Sequence, residues 1–106
     1  MITLKHGVRL TDLCPQIVLA TMIVDGLCTK YGVVCVITSA NDSTHSAASW
    51  HYKGRALDFR THYDVLNGRE QAFRDEVKEA LGAEFDVVLE AVGTPQEHLH
   101  IEWDQK

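Results

Sequence analysis

The sequence predicts an α+β domain: a small antiparallel sheet with helices packed on one of its faces. Three observations predict it. Two stretches repeat apolar residues at helical spacing, several short stretches are β-branched or alternate apolar with polar residues, and that alternation gathers imidazoles and carboxylates on one side of the strands. With 106 residues, 45% of them hydrophobic and 24% charged, the expectation is one domain over residues 1–106 built around one core.

Pro15 occupies a first helical position, and Ile17, Ala20, Thr21, Val24, Leu27, Cys28 and Tyr31 follow at helical spacing until Gly32. The first helix is therefore expected over about Pro15 to Lys30, largely buried. Val33 to Thr38 is β-branched and continuous, which predicts an inner strand covered on both faces. A polar loop, Ser39 to Thr44, ends it. Arg55 to Arg60 alternates, so Leu57 and Phe59 face the core while Ala56, Asp58 and Arg60 share the other side. Asn67 and Glu70 read as a capping box opening a second helix from about Gly68 to Leu81, with Ala72, Phe73, Val77, Ala80 and Leu81 as its apolar stripe. Phe85 to Leu89 predicts another strand. After the turn residues Gly93, Thr94 and Pro95, the segment His98 to Trp103 alternates again, with His98, His100 and Glu102 opposite Leu99, Ile101 and Trp103.

A formal net charge of -5 and the lack of any Lys/Arg cluster argue against a nucleic-acid binder, whose phosphate contacts need a basic patch. No apolar run reads as a membrane span or signal peptide, so a protein made in the cytoplasm is expected; a monomer is expected as well. Cys14 and Cys28 would lie about 21 Å apart on one helix and cannot pair. A Cys28–Cys35 bridge is open geometrically, but buried free thiols suit a cytoplasmically made chain better.

The chemistry concentrates in two segments. His51 and Asp58 are separated by six residues, and Glu97-His98-Leu99-His100 follows some forty residues later. Three protein ligands of imidazole or carboxylate type and one open position describe a catalytic zinc, which His51, Asp58 and His100 would satisfy, leaving Glu97 for proton transfer. Gly54 would let the chain turn between the first two ligands. Glu97 and His100 are three apart and would point to opposite faces of a regular strand, so Glu97 can serve only if the chain bends near Pro95 and Gln96. His6 and His62 have no such context and read as solvated side chains.

The segments Ser49-x-His51-x-x-Gly54-x-Ala56-x-Asp58 and Glu97-x-x-His100 resemble the M15 group of zinc peptidases: D-Ala-D-Ala carboxypeptidases, VanX-type dipeptidases and phage endolysin peptidases, which share a fold with the hedgehog signalling domain. The resemblance implies that His51, Asp58 and His100 bind Zn2+, that Glu97 is the general base, and that His98 lines the site. It implies a peptidoglycan stem or cross-bridge peptide as substrate, reached after release from the cell or from a virion. One departure stands out. Many relatives place an Arg soon after the Thr-Ser that closes the central strand, to polarise the scissile carbonyl, whereas Ser39-Ala40-Asn41-Asp42 has none. Arg60, on the same strand face as Asp58, is the substitute expected here, with His98 as the other donor for the oxyanion. Two rivals follow from the same residues: a zinc-stabilised binding module of hedgehog type without turnover, and a metal nuclease, which two imidazoles and the acidic balance disfavour.

Overall fold

The computed structural model of the chain describes residues 2–40 and 54–104, with residues 63 and 64 as backbone only. In chain order its elements are β1 (Ile2–Leu4), α1 (Pro15–Tyr31), β2 (Cys35–Ser39), β3 (Ala56–Arg60), α2 (Tyr63–Leu66), α3 (Glu70–Leu81), β4 (Phe85–Glu90) and β5 (His98–Trp103). The strands form one sheet in the order β1-β2-β3-β5-β4, antiparallel except for β1, which runs parallel to β2. A parallel pair needs a long crossover, and α1 supplies it. The three-residue β1 is too short for alternation to reveal in the sequence.

Helix α1 begins as expected, with Pro15 in the first turn, and ends at Gly32, whose left-handed φ of 74° lets its N–H reach the carbonyls of Cys28 and Thr29. It packs on β2, β5 and α3. Ile17, Ala20, Thr21, Val24 and Cys28 are buried, but Val18, Leu19 and Met22 are exposed. The expectation of a largely buried helix is thus corrected: α1 buries one stripe, because the described sheet and α3 meet it from one side only.

The start of α3 also differs from expectation. Asn67 and Gly68 both adopt left-handed φ values, 51° and 88°, to link the single turn α2 to α3. A cap at Asn67 is therefore ruled out, Arg69 stands at the N-cap position without a side-chain cap bond, and the Glu70 carboxylate accepts the Gly68 N–H at 2.7 Å. Of the apolar stripe, Phe73 and Val77 are buried whereas Ala72 and Ala80 are exposed.

The core lies between one sheet face and the two long helices. Ile37, Leu57, Phe59, Val87, Leu99 and Ile101 from the strands meet Ile17, Ala20, Val24, Phe73 and Val77 from the helices. Complete burial of such aliphatic and aromatic side chains contributes about 1.5–3 kcal/mol each. In β2, Cys35 and Ile37 are buried while Val36 and Thr38 are only half-buried, so one face of the strand is covered by helix and the other is not. Cys14, Cys28 and Cys35 are free thiols. The Cys35 thiol donates to Cys28, which lowers the pKa of Cys28 and, together with burial, raises that of Cys35. No helix among the described residues is long and apolar enough to cross a membrane.

Candidate metal centre

The sheet face turned away from the helices carries the polar side chains in register rows. Asp58 of β3 lies directly opposite His100 of β5, Arg60 lies opposite His98, and His98 in turn lies opposite Glu90 of β4. Directly opposed residues bring their Cβ atoms to about 4.5–5.5 Å, so pairing alone forces these groups together. A bulge between Ile37 and Ser39 shifts the β2–β3 register by one and sets Ser39 opposite Asp58.

In the first row, His100 Nδ1 donates to Asp58 Oδ1 at 2.8 Å and His100 Nε2 donates to Glu102 Oε1 at 3.0 Å. Both acceptors are carboxylates and the group is mostly shielded from solvent, with 17% of the His100 side chain exposed. The Asp58 hydrogen bond, opposed by burial and assisted by Glu102, raises the His100 pKa to about 9. With a metal at Nδ1, the same Glu102 contact would hold the ring's tautomer and orientation, the usual task of a carboxylate behind a ligating histidine.

In the second row, His98 Nδ1 lies 3.0 Å from the Gln96 carbonyl, which can only accept, so the Nδ1–H donates to it. Nε2 is thereby aimed at Glu90 Oε1, 2.8 Å away, and Asp58 Oδ2, 3.8 Å away. Burial lowers the His98 pKa, but the Gln96 carbonyl, Asp58 and Glu90 together raise it above the ordinary value. Asp58, Glu90 and His98 each offer one ligand atom, all within 4.8 Å of one another, so that among the described residues these three could hold a metal ion.

The predicted bend before β5 is present. Thr94 accepts the Glu97 N–H at 3.0 Å and Ala91 accepts the Thr94 N–H at 3.2 Å, turning the chain just ahead of the strand. Glu97 is 2% exposed. Its Oε1 accepts the Gly93 N–H at 3.2 Å, while its Oε2 has no hydrogen-bond partner among the described residues. Glu97 lines a cavity of about 280 Å³ together with Lys5, Thr38, Asp58, Arg60 and His98. A larger depression of about 490 Å³ between α3 and β4 contains none of these groups.

Asp58, Glu97, His98 and Arg60 thus line one cavity, and His100 joins them through its hydrogen bond to Asp58. His51 and Ser49 lie outside the described residues, so the third expected ligand has no structural account. Gly54 takes the left-handed φ of 72° and packs against the Asp12 backbone, as a sharp turn there requires. Arg55 points elsewhere, its guanidinium 4.9 Å above the Trp103 ring. Two residues escaped the sequence reading. Alternation puts Glu102 on the polar face without indicating a task for it, and Glu90 lies one position beyond the strand end that the sequence predicts, although Asp86-x-Val88-x-Glu90 continues the alternation. No family model, curated protein or solved structure matches this chain.

Proposed function

We propose that the chain is a zinc-dependent peptidase that cleaves a peptide bond in the stem or cross-bridge peptides of bacterial cell wall. The observation that carries this reading is the juxtaposition of Asp58 and His100 on paired strands, with Asp58 lining a cavity that is also lined by Glu97, a residue whose buried carboxyl is only half-satisfied. A buried carboxyl oxygen left unpaired costs about 1–3 kcal/mol or more, and such groups persist where function needs them. The donors described fit zinc: a carboxylate at Asp58, an imidazole at His100 and a carboxylate behind His100, with His51, outside the described residues, as the third ligand that the sequence offers.

When bound, zinc supplies Lewis-acid polarisation of a carbonyl and acidifies water. Glu97, whose Oε2 has no hydrogen-bond partner among the described residues, takes a proton from the water whose oxygen bonds to the carbonyl carbon and passes it to the amine nitrogen as the C–N bond breaks, a contribution of roughly 10²–10⁴-fold. Of the two donors expected for the oxyanion, Arg60 is the better placed. It lines the cavity and makes no ion pair with a described residue, whereas His98 spends Nδ1 on Gln96 and turns Nε2 to carboxylates.

The test is digestion of purified peptidoglycan and synthetic stem peptides by the zinc-loaded protein, read by mass spectrometry. New peptide termini that disappear in Glu97→Gln, with zinc content unchanged, support the reading. No product between pH 5 and 9 from a zinc-loaded protein overturns it in favour of a binding module.

A further inference from the structure

Asp58 presents its two oxygens to different imidazoles: Oδ1 to His100 Nδ1 at 2.8 Å and Oδ2 to His98 Nε2 at 3.8 Å. The peptidase reading uses only the first of these contacts. We propose that Asp58, Glu90 and His98 hold a divalent cation at a position distinct from the one between Asp58 and His100, with Asp58 as the shared carboxylate.

Three features carry the assignment. The first is the orientation of His98: with Nδ1–H donated to the Gln96 carbonyl, Nε2 is the ring nitrogen left for an ion, and it faces two carboxylates. A histidine fixed through one nitrogen by a backbone carbonyl, with the other directed at carboxylates, is the arrangement of a metal ligand. The second is distance. Ligand atoms about 2.0–2.2 Å from one ion lie about 3.4 Å apart in tetrahedral geometry. The triad's atoms already fall within 4.8 Å, and Glu90, whose side chain is 49% exposed, can close the remainder by rotation. The third is the buried Glu97, whose unpartnered Oε2 belongs to a residue lining the same cavity as Asp58 and His98.

One imidazole and two carboxylates suit Zn2+ or Mn2+ better than a softer ion, and a carboxylate shared between two ions is compatible with the roughly 3.5–4 Å spacing of two-metal hydrolytic sites. The assignment does not depend on the chemistry at His100, since all three ligands and their contacts belong to described residues.

Zinc stoichiometry of the full chain, measured by elemental analysis after equilibration with Zn2+ alone and dialysis, tests it. Glu90→Gln and His98→Gln are each expected to hold one zinc equivalent fewer than the wild type, with unchanged circular dichroism. His100→Ala is expected to keep the equivalent that Glu90→Gln loses, so the double variant holds less zinc than His100→Ala alone. Unchanged stoichiometry in Glu90→Gln and His98→Gln overturns the proposal, as does complete loss of zinc in His100→Ala. Peptide hydrolysis plays no part in the readout, so failure here and failure of the peptidase reading are separate results.

Discussion

Replacing Glu97 by glutamine should move stability and activity in opposite directions. The side chain is 2% exposed, one carboxyl oxygen accepts the Gly93 N–H, and the other has no partner among the described residues. Glutamine preserves the shape, and its carbonyl oxygen can still accept from Gly93. What changes is the unsatisfied group: a carboxyl oxygen, whose burial without a partner costs about 1–3 kcal/mol or more, becomes one end of a neutral amide that costs less. A net stabilisation of about 1 kcal/mol is expected. For a domain of this size that raises Tm by about 4–8 °C in a thermal melt of the metal-free protein followed by circular dichroism. Peptide hydrolysis should fall by roughly 10²–10⁴-fold if Glu97 transfers the proton. A buried acid kept for structure would behave otherwise, losing stability with the carboxyl and leaving any turnover intact. A lower Tm in Glu97→Gln, or hydrolysis within a few-fold of the wild type, would refute the argument from the unpaired oxygen.

Three further outcomes are expected. Gly54→Ala would set a Cβ 2.0 Å from the Asp12 carbonyl oxygen at a residue with φ 72°, so a loss on the order of 3 kcal/mol or more is expected in urea melts; Gly68→Ala, at φ 88° with no atom within 4 Å, should cost only the backbone strain of about 1 kcal/mol. Zinc at about 100 times its Kd should stabilise the fold by about 2.7 kcal/mol, so chelator should lower Tm by about 10 °C or more, and a melt indifferent to both would count against any metal centre. The Glu76 carboxylate accepts from Lys30 and Tyr31, contacts that hold its pKa below the ordinary 4.5. Its stabilisation is therefore fully present above pH 4.5 and lost as pH falls through the lower folded-state value. Glu76→Gln should flatten that acid limb of the Tm-against-pH curve, and an unaltered limb would show that the pair does not contribute.

Much of this molecule was legible because strands have a period of two. The alternation Leu57-Asp58-Phe59-Arg60 and His98-Leu99-His100-Ile101 assigns each side chain to a face without knowledge of any partner strand, and both assignments hold in the fold. Helix ends with a glycine that must be left-handed, such as Gly32, were legible for a similar local reason. Features decided by neighbours were not. Whether Val18, Leu19 and Met22 would be covered depends on what packs against α1, and the helical spacing of apolar residues does not carry that information. Asn67 and Glu70 satisfy the spacing of a capping box, but the preceding turn α2 forces Asn67 into a conformation in which it cannot cap.

The candidate site divides along the same line. Face is a local property and register is not, because register is fixed by how β3, β4 and β5 slide into alignment. Sequence could therefore place His98, His100, Asp58 and Arg60 on one side of the sheet without saying which imidazole meets which carboxylate. The register supplies that: Asp58 sits against His100, Glu90 sits against His98, and Arg60 closes the second row. A slip of one residue between β4 and β5 would turn Glu90 to the helix-covered face and leave His98 without its closest carboxylate. The hairpin that joins these strands is consequently part of the chemistry. Its turn contains the Gln96 carbonyl that orients His98 and the Gly93 N–H that holds Glu97, so the residues between the strands position the side chains on which both proposals depend.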